Sequence, residues 1–433
     1  MKIALISPKG SFLGENYAFR EFCEKSKELY FYKRFWSGLS SGLLIIAGLT
    51  PKEIKIELID ENVESINFDK DYDLVALSAM TQQATRAYEI ADEFRKKKVK
   101  VVMGGIHATV LPKEAKEHCD SVFIGEAEET WPQFISDFLN NRISPFYLSK
   151  GSVDLEKSPM PRYDLLKSEK YNIIWIQTTR GCPFDCEFCS ASKIFGAKYR
   201  HKTIEQVVRE VKFVESISKS SHIGFADDNM FVNRKYATEL AKKLIPLKIR
   251  WMTQTDISIA EDEKLLKLLK KSGCYILFIG FESLSEKNLI SVDKSGFKAR
   301  KLSKYSEYIK KIQSYGIGVM GAFILGFDYD DNSVFKRTAD FIIDNYLYTV
   351  QITTLTPFPG TRLRMRLEQE NRLLDFNWNH YTLWDVNFVP KQMSVEELQL
   401  GLLETHKAIY NDVERLKRIK YFKDIVDKLV VKT

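Results

Sequence analysis

The 433-residue sequence predicts an α/β protein with two parallel-sheet modules in series. The first is a doubly wound, Rossmann-like domain, the second a partial (β/α)6 barrel, and a helical C-terminal region follows. Three observations predict this. Short apolar runs alternate with charged stretches of helical spacing over residues 1–140, a second such alternation starts near 171, and strand patterns fade beyond about 362. The boundaries that follow are 1–140 for the first domain, 141–170 for a linker, 171–361 for the barrel and 362–433 for the helical region.

In the first module "KIALIS", "IKIELIDE", "DLVALSAM", "KVVMGG" and "SVFIGE" read as strands, and "TRAYEIADEFRKK" and "LPKEAKEH" as helices between them. Strand and helix in alternation imply a parallel sheet covered on both faces. Ligands of such sheets bind beyond the carboxyl ends of the strands. The loops there are "SAMTQQ" at 78–83, "GGIHATVLP" at 104–112 and "GEAEETW" at 125–131, which together suggest a binding crevice. The aromatic stretch "LYFYKRFWSG" at 29–38 reads as a core-packing helix, with a cap over a bound ligand as the alternative.

Residues 141–170 contain "NNRISPFY" and "EKSPMPRYDLL", whose turn chemistry reads as a linker. The second alternation runs through "NIIWIQTT", "HIGFADD", "IRWMTQT", "YILFIGFES", "GVMGAFILGF" and "YTVQITTLTP". Six such units are too few for a closed barrel of about eight strands, and a partial barrel open on one side fits them. Beyond it, "EELQLGLLETHKAIY" is helical in pattern.

Hydrophobic residues make up 44% and charged residues 28% of the chain, a globular composition. The formal charge of +7 comes from Lys and Arg spread over the whole length, the pattern of solvated helix faces and not of a nucleic-acid groove. The longest apolar run, "GLLIIAGL" at 42–49, is far short of the roughly 20 residues a membrane span needs. "MKIALISPKG" moves directly into a strand pattern where a signal peptide would have an apolar core. A cytoplasmic protein without a membrane span is expected. Six cysteines, half of them in one cluster, do not form a secreted disulfide framework, and Cys23, Cys119 and Cys274 read as buried small hydrophobes.

The cluster is "RGCPFDCEFC" at 180–189, with Cys182, Cys186 and Cys189 and no fourth cysteine nearby. It follows the first strand of the second module, and Gly181 and Pro183 favour a loop there. Thiolates at i, i+4 and i+7 of a tight loop can converge on one inorganic centre. A structural zinc needs about four ligands, which His201 or Cys274 would have to complete. A [4Fe–4S] cluster held by three cysteines leaves one iron with open coordination. Spacing alone leaves both readings standing.

C-x-x-x-C-x-x-C with Phe188 directly before the last cysteine resembles the signature of the radical S-adenosylmethionine superfamily. The resemblance implies that Cys182, Cys186 and Cys189 bind three irons and that S-adenosylmethionine chelates the fourth. One electron then yields a 5′-deoxyadenosyl radical able to take hydrogen from an unactivated carbon. It also implies an S-adenosylmethionine site at successive strand ends. Phe188 belongs to it, with Asp227 and Asp228 of "ADDN" and Gln254 on the next strand. Glu282 of "GFES" is placed for a ribose hydroxyl and Gly326 of "ILGF" beside adenine. An Asp pair taken alone is more often a turn or a helix cap.

With its doubly wound N-terminal domain, the whole chain resembles the cobalamin-dependent class of that superfamily. The similarity includes "MGGIHATVLP", "FIGEAEETW", "PRYDLL", "FADDNMFVNRK" and a tail, "NFVPKQMSVEELQLG", like that of the subset containing the hopanoid C-2 methylase. The resemblance implies that Ser78, Met80, Thr81, Gly104, Gly105, His107, Gly125 and Glu126 line a cobalamin crevice. Paired glycines would let backbone approach a bulky ligand closely. No histidine of the chain stands in the D-x-H-x-x-G context of a cobalt-ligating histidine.

The function implied is methyl transfer from methylcobalamin to an unactivated carbon after hydrogen abstraction. Ring formation, oxidation or carbon–carbon coupling is the alternative within the class. A methylthiotransferase would need a second cluster from three N-terminal cysteines, where this chain offers Cys23 and Cys119. A zinc-stabilised binding protein would leave the strand-end motifs unexplained. The implied partners are a small-molecule, lipid or peptide substrate and a flavodoxin or ferredoxin-type electron donor, and no nucleic acid. No residue is assigned to quenching or relaying the radical.

Overall fold

The structure, a computed structural model, describes residues 1–10, 16–26, 28–29, 39, 41–218, 222–293, 295–374 and 377–430. Apart from Leu29, the aromatic stretch at 29–38 lies outside them.

The first sheet contains β1 (Lys2–Ser7), β2 (Lys55–Asp60), β3 (Leu74–Ser78), β4 (Lys100–Gly104), β5 (Ser121–Ile124) and β6 (Phe146–Leu148). Their order is β2-β1-β3-β4-β5-β6 and every pairing is parallel. The strands are apolar on both sides because helices cover both faces. Ala4, Ile6, Val75, Leu77, Val101 and Met103 enter one core, while Ile3, Leu5, Leu74, Ala76 and Val102 enter the other. The chain leaves β1 toward β2 on one side and returns to β3 on the other. The loops after β1 and β3 therefore diverge and open a crevice at the strand ends.

β6 is a departure from the expected linker. Only Tyr147 of its three residues is buried, with Phe146 and Leu148 exposed. An edge strand that buries one side chain leaves no usable alternation in the sequence.

The second module contains β7 (Ile174–Ile176), β8 (Thr179–Arg180), β9 (Arg200–His201), β10 (His222–Phe225), β11 (Arg250–Thr255), β12 (Cys274–Glu282), β13 (Gly318–Leu325) and β14 (Thr349–Thr354). Six of them form a parallel sheet in the order β14-β13-β12-β11-β10-β7, so each unit steps one place onward, as in the partial barrel expected. β8 and β9 form a separate antiparallel pair that brackets the cysteine loop. At two residues each, they are too short to show a period.

Cys23, Cys119 and Cys274 are buried free thiols, as expected. The largest core joins the barrel to helix Tyr17–Lys25 and to helix Val395–Ile409. At that junction His406 is buried edge-on to Phe19, its Nδ1 2.8 Å from the Leu402 carbonyl oxygen. Burial pushes its pKa down to about 4. The unfolded chain takes up this proton below about pH 6.5, so His406 costs stability as pH falls through that value toward 4. Asp227 and Asp330, whose buried carboxyls are pushed up to about 6, act in the opposite sense as pH falls. The difference between proteins isolates the histidine. The His406→Phe variant is expected to lose less stability than the wild type between those two pH values in urea titrations, and equal losses would contradict this.

Candidate active site

A cavity of about 500 Å³ lies where the carboxyl ends of the two sheets face each other. Of the residues expected at a cobalamin crevice, Ser78, Met80, Gly104, Gly105, Gly125 and Glu126 line it. Thr81 and His107 are not among its lining residues.

Helix Ile106–Val110 begins immediately after Gly105 and carries His107 into the interior. There Nε2 lies 2.9 Å from the Tyr88 hydroxyl and 3.3 Å from Glu114 Oε1, and the ring packs edge-on to Trp378. The Trp378 indole donates to the same Glu114 oxygen at 2.7 Å. His107 therefore ties the first module to the C-terminal region and not to the cavity. Thr81 is buried at the start of the 3-10 turn Thr81–Gln83. Gly105 has φ +92°, and a Cβ there would stand 2.8 Å from the Ala79 backbone nitrogen and oxygen. The second glycine of the pair is thus demanded by the packing of one strand-end loop on the next.

Glu126 lines the cavity, but its carboxylate is spent. Arg180 Nη1 donates to Oε1 at 2.5 Å, Arg200 Nη1 to Oε2 at 2.7 Å, and the Val153 amide to Oε2 at 3.0 Å. Glu128 lies 2.6 Å from Arg180 Nη2. Glu126, expected at the cobalamin crevice, thus lines the cavity and also forms a buried charge bridge between the modules.

The cysteine loop starts directly after β8. Gly181 has φ +90°, and a Cβ there would come within 2.3 Å of the Lys198 carbonyl oxygen. Its amide donates to Asp228 Oδ2 at 3.2 Å. The preceding turn is held by Asp227, which accepts from the Thr178 and Thr179 amides at 2.7 Å each and from the Thr178 hydroxyl. Burial pushes the Asp227 carboxyl up to about 6 and also raises that of Asp228. Both line the cavity together with Gln254. Asp227 is engaged in shaping the loop, a role closer to the turn-forming Asp than to a ligand.

On its outer side the loop is clamped by helix Arg362–Gln369. Arg362 lies 3.1 Å from Asp185 Oδ2, Arg366 2.8 Å from Glu187 Oε1, and the Leu363 amide donates to the Glu187 carbonyl at 3.0 Å. The Glu187 amide donates to the Val292 carbonyl, and Phe184 stacks on Phe297 at 4.7 Å between centroids. Sequence reasoning missed these arginines. The acids of "PFDCEFC" and the arginines of "TRLRMRLEQ" are complementary, but nothing local says that they meet.

Phe188, Glu282 and Gly326 are not among the cavity-lining residues. Phe188 packs against Phe327, and Gly326 faces Leu398 and Phe388 of the C-terminal region. The Gly326 amide donates to the buried Asp330, which fixes that turn. Glu282 ends β12 at a register shift with φ +64° and accepts from Lys298 Nζ at 2.6 Å. Lys298 also donates to the Gly280 carbonyl at 2.7 Å. Burial pushes the Cys186 thiol up to about 12 and that of Cys182 to about 11, and the Lys298 ammonium opposes both shifts.

A cationic side chain beside a cluster favours its reduced, more negative state. The Lys298→Met variant is expected to load iron normally and to show a more negative reduction potential in an electron paramagnetic resonance titration. An unchanged potential would contradict that role.

Among the described residues, no three His, Cys, Asp or Glu side chains gather about one ion position. The candidate fourth zinc ligands lie elsewhere. His201 stacks on Tyr236 with ring centroids 4.2 Å apart, and Cys274 opens β12 at the opposite end of the barrel. Cysteines that hold an iron–sulfur cluster bind separate irons, so they need a shared loop and not a shared point. That is what this loop provides. The cavity has apolar walls, bare strand-end backbone and no lining histidine, which fits a cobalamin held without a protein imidazole.

Comparisons with known proteins identify the family. The radical SAM superfamily profile matches residues 176–342, the B12 binding domain residues 40–135, and a domain of unknown function residues 361–430. The chain is similar to the bacteriochlorophyllide d C-12(1)-methyltransferase of Chlorobaculum tepidum, 30% identical over 387 residues, covering 87% of this chain and 84% of that protein. It is also similar to the hopanoid C-2 methylase of Rhodopseudomonas palustris, 27% identical over 77% of this chain and 65% of that protein. Its fold matches that of the cobalamin-dependent S-adenosylmethionine radical enzyme OxsB, with TM-score 0.70, 14% identity, and coverage of 98% of this chain and 70% of that one. No helix among the described residues is long and apolar enough to cross a membrane. The chain belongs to the radical S-adenosylmethionine superfamily, in the class of enzymes that carry a B12-binding domain and use a [4Fe–4S] cluster, S-adenosylmethionine and cobalamin.

Proposed function

We propose that the protein is a methylase that places a methyl group on an unactivated carbon of an apolar small molecule. The observation that carries this reading is the cavity bounded by the strand ends of both modules. A substrate held there can be reached from either side. When bound, the cluster with S-adenosylmethionine supplies a carbon-centred radical, and the cobalamin supplies a transferable methyl group.

The chain's own residues bind, orient and exclude water. Cys182, Cys186 and Cys189 hold the cluster, on a loop that Asp227, Asp228, Arg362 and Arg366 keep in place. Ser78, Met80, Gly104, Gly105 and Gly125 form the face toward the corrin. Asp228 and Gln254 offer polar groups to S-adenosylmethionine from the barrel side, and Phe188, Glu282 and Gly326 are assigned to the same ligand. Trp175, Phe225, Met252 and Phe278 line the barrel part of the cavity and keep water from a reactive carbon. The same walls favour an apolar substrate. The similarity to two methylating relatives supports methyl transfer over ring closure or oxidation. A flavodoxin or ferredoxin-type protein supplies the electron, in the cytoplasm.

The test is product analysis after anaerobic turnover with a candidate substrate. The reading expects 5′-deoxyadenosine and S-adenosylhomocysteine in comparable amounts, because hydrogen abstraction and cobalamin remethylation each consume S-adenosylmethionine. Turnover that yields 5′-deoxyadenosine without S-adenosylhomocysteine would contradict it.

A further inference from the structure

We propose that Glu126 and Arg180 are positioning residues that join the cobalamin-facing loop and the cluster loop into one mechanical unit, so that binding on one side is felt on the other. Glu126 follows Gly125 at the end of β5 and lines the cavity. Arg180 ends β8 and immediately precedes Gly181 and Cys182. All three guanidinium nitrogens of Arg180 are engaged: Nη1 with Glu126 at 2.5 Å, Nη2 with Glu128 at 2.6 Å and Nε with Gln177 Oε1 at 2.7 Å. Arg200 from β9 completes the arrangement on Glu126 and donates to the Phe195 and Val153 carbonyls.

The side chains of Glu126, Glu128, Arg180 and Arg200 are between 5% and 9% exposed. Two carboxylates against two guanidiniums leave the network neutral, which is the condition for burying it. With little water to relax into, such a network has few alternative geometries. Displacing the loop after β5 must displace Arg180, and with it the entry to the cysteine loop. A ligand that orders one loop therefore lowers the cost of ordering the other, and the effect is reciprocal.

The inference rests on the two cofactor sites and not on methyl transfer, so a product analysis that contradicted methylation would leave it intact. The test uses the full chain, anaerobically loaded with iron and sulfide, titrated with hydroxocobalamin by absorbance with and without saturating S-adenosylmethionine. In the wild type, S-adenosylmethionine is expected to tighten hydroxocobalamin binding at least about fivefold. In the Glu126→Gln variant that ratio is expected to fall to about one, whatever the separate affinities are. In Glu128→Gln, which removes one carboxylate from Arg180, it is expected to fall partway. A wild type without coupling, or a loaded Glu126→Gln protein that keeps it, overturns the proposal. If Glu126→Gln does not load iron, a wild-type ratio in Glu128→Gln overturns it equally. Failure of hydroxocobalamin to bind the wild type overturns both this inference and the cofactor assignment.

Discussion

Alanine at Cys182, Cys186 or Cys189, singly, is expected to reduce iron after anaerobic reconstitution from about four per chain to less than about one. Formation of 5′-deoxyadenosine is expected to fall at least ~1,000-fold, since the chemistry belongs to the cofactor and no protein group replaces it. The loop explains why one thiol suffices to break the site. Cys189 and Cys186 are linked by a backbone hydrogen bond of 3.1 Å, and Gly181, Asp185 and Glu187 are each pinned to another element. Among the described residues no other group of three His, Cys, Asp or Glu side chains gathers about one position. Cys274→Ala is the matched control. Its thiol is buried at the far end of β12, so iron content and 5′-deoxyadenosine formation should both stay at wild-type levels. Iron retained in a cysteine-loop variant, or lost in the control, would be the opposite result.

The second large effect concerns stability. Arg180→Met leaves Glu126 and Glu128 buried with one cationic partner fewer, and breaking a buried ion pair from one side costs about 3–5 kcal/mol. The variant should unfold at clearly lower urea concentration, followed by tryptophan fluorescence. Adding Glu126→Gln to Arg180→Met removes one of the stranded charges and is expected to recover part of the loss. Surface pairs such as Lys25 with Glu21 provide the contrast, because exposed ion pairs are worth about 0–1 kcal/mol. A loss of that small size in Arg180→Met would mean that the network is effectively solvated.

The strands of both sheets were legible because each buries enough apolar residues to print its pattern on the sequence. Ile3 to Ile6 and Leu74 to Leu77 are fully apolar for this reason. β6, β8 and β9 were not legible, being two or three residues long and set by pairing instead of burial. The cysteine loop was legible because its chemistry is local. Gly181, Pro183 and three thiols lie within one short loop, so the cluster of thiols is visible from spacing, while the choice of iron–sulfur over zinc came with the family resemblance.

What surrounds that loop was hidden for the opposite reason. Lys298, Arg180, Arg200, Arg362 and Arg366 are among the Lys and Arg spread over the whole chain that read as solvated, and the carboxylates described with them lie from 16 to 179 positions away. Glu126 lines the cavity, and one sequence shows its carboxylate but not the guanidiniums that engage it. His107 follows the cavity-lining Gly104 and Gly105 but turns into the interior. The turn of helix Ile106–Val110 decides that direction, and the motif "GGIH" does not reveal it.

If one cavity serves two cofactors held by two modules, both must load on one chain. The most direct measurement is the iron and cobalt content of the full chain after anaerobic reconstitution with iron, sulfide and hydroxocobalamin and removal of unbound material. About four irons and about one cobalt per chain are expected. Four irons with no cobalt, from a chain whose Cys182, Cys186 and Cys189 are intact, would contradict it.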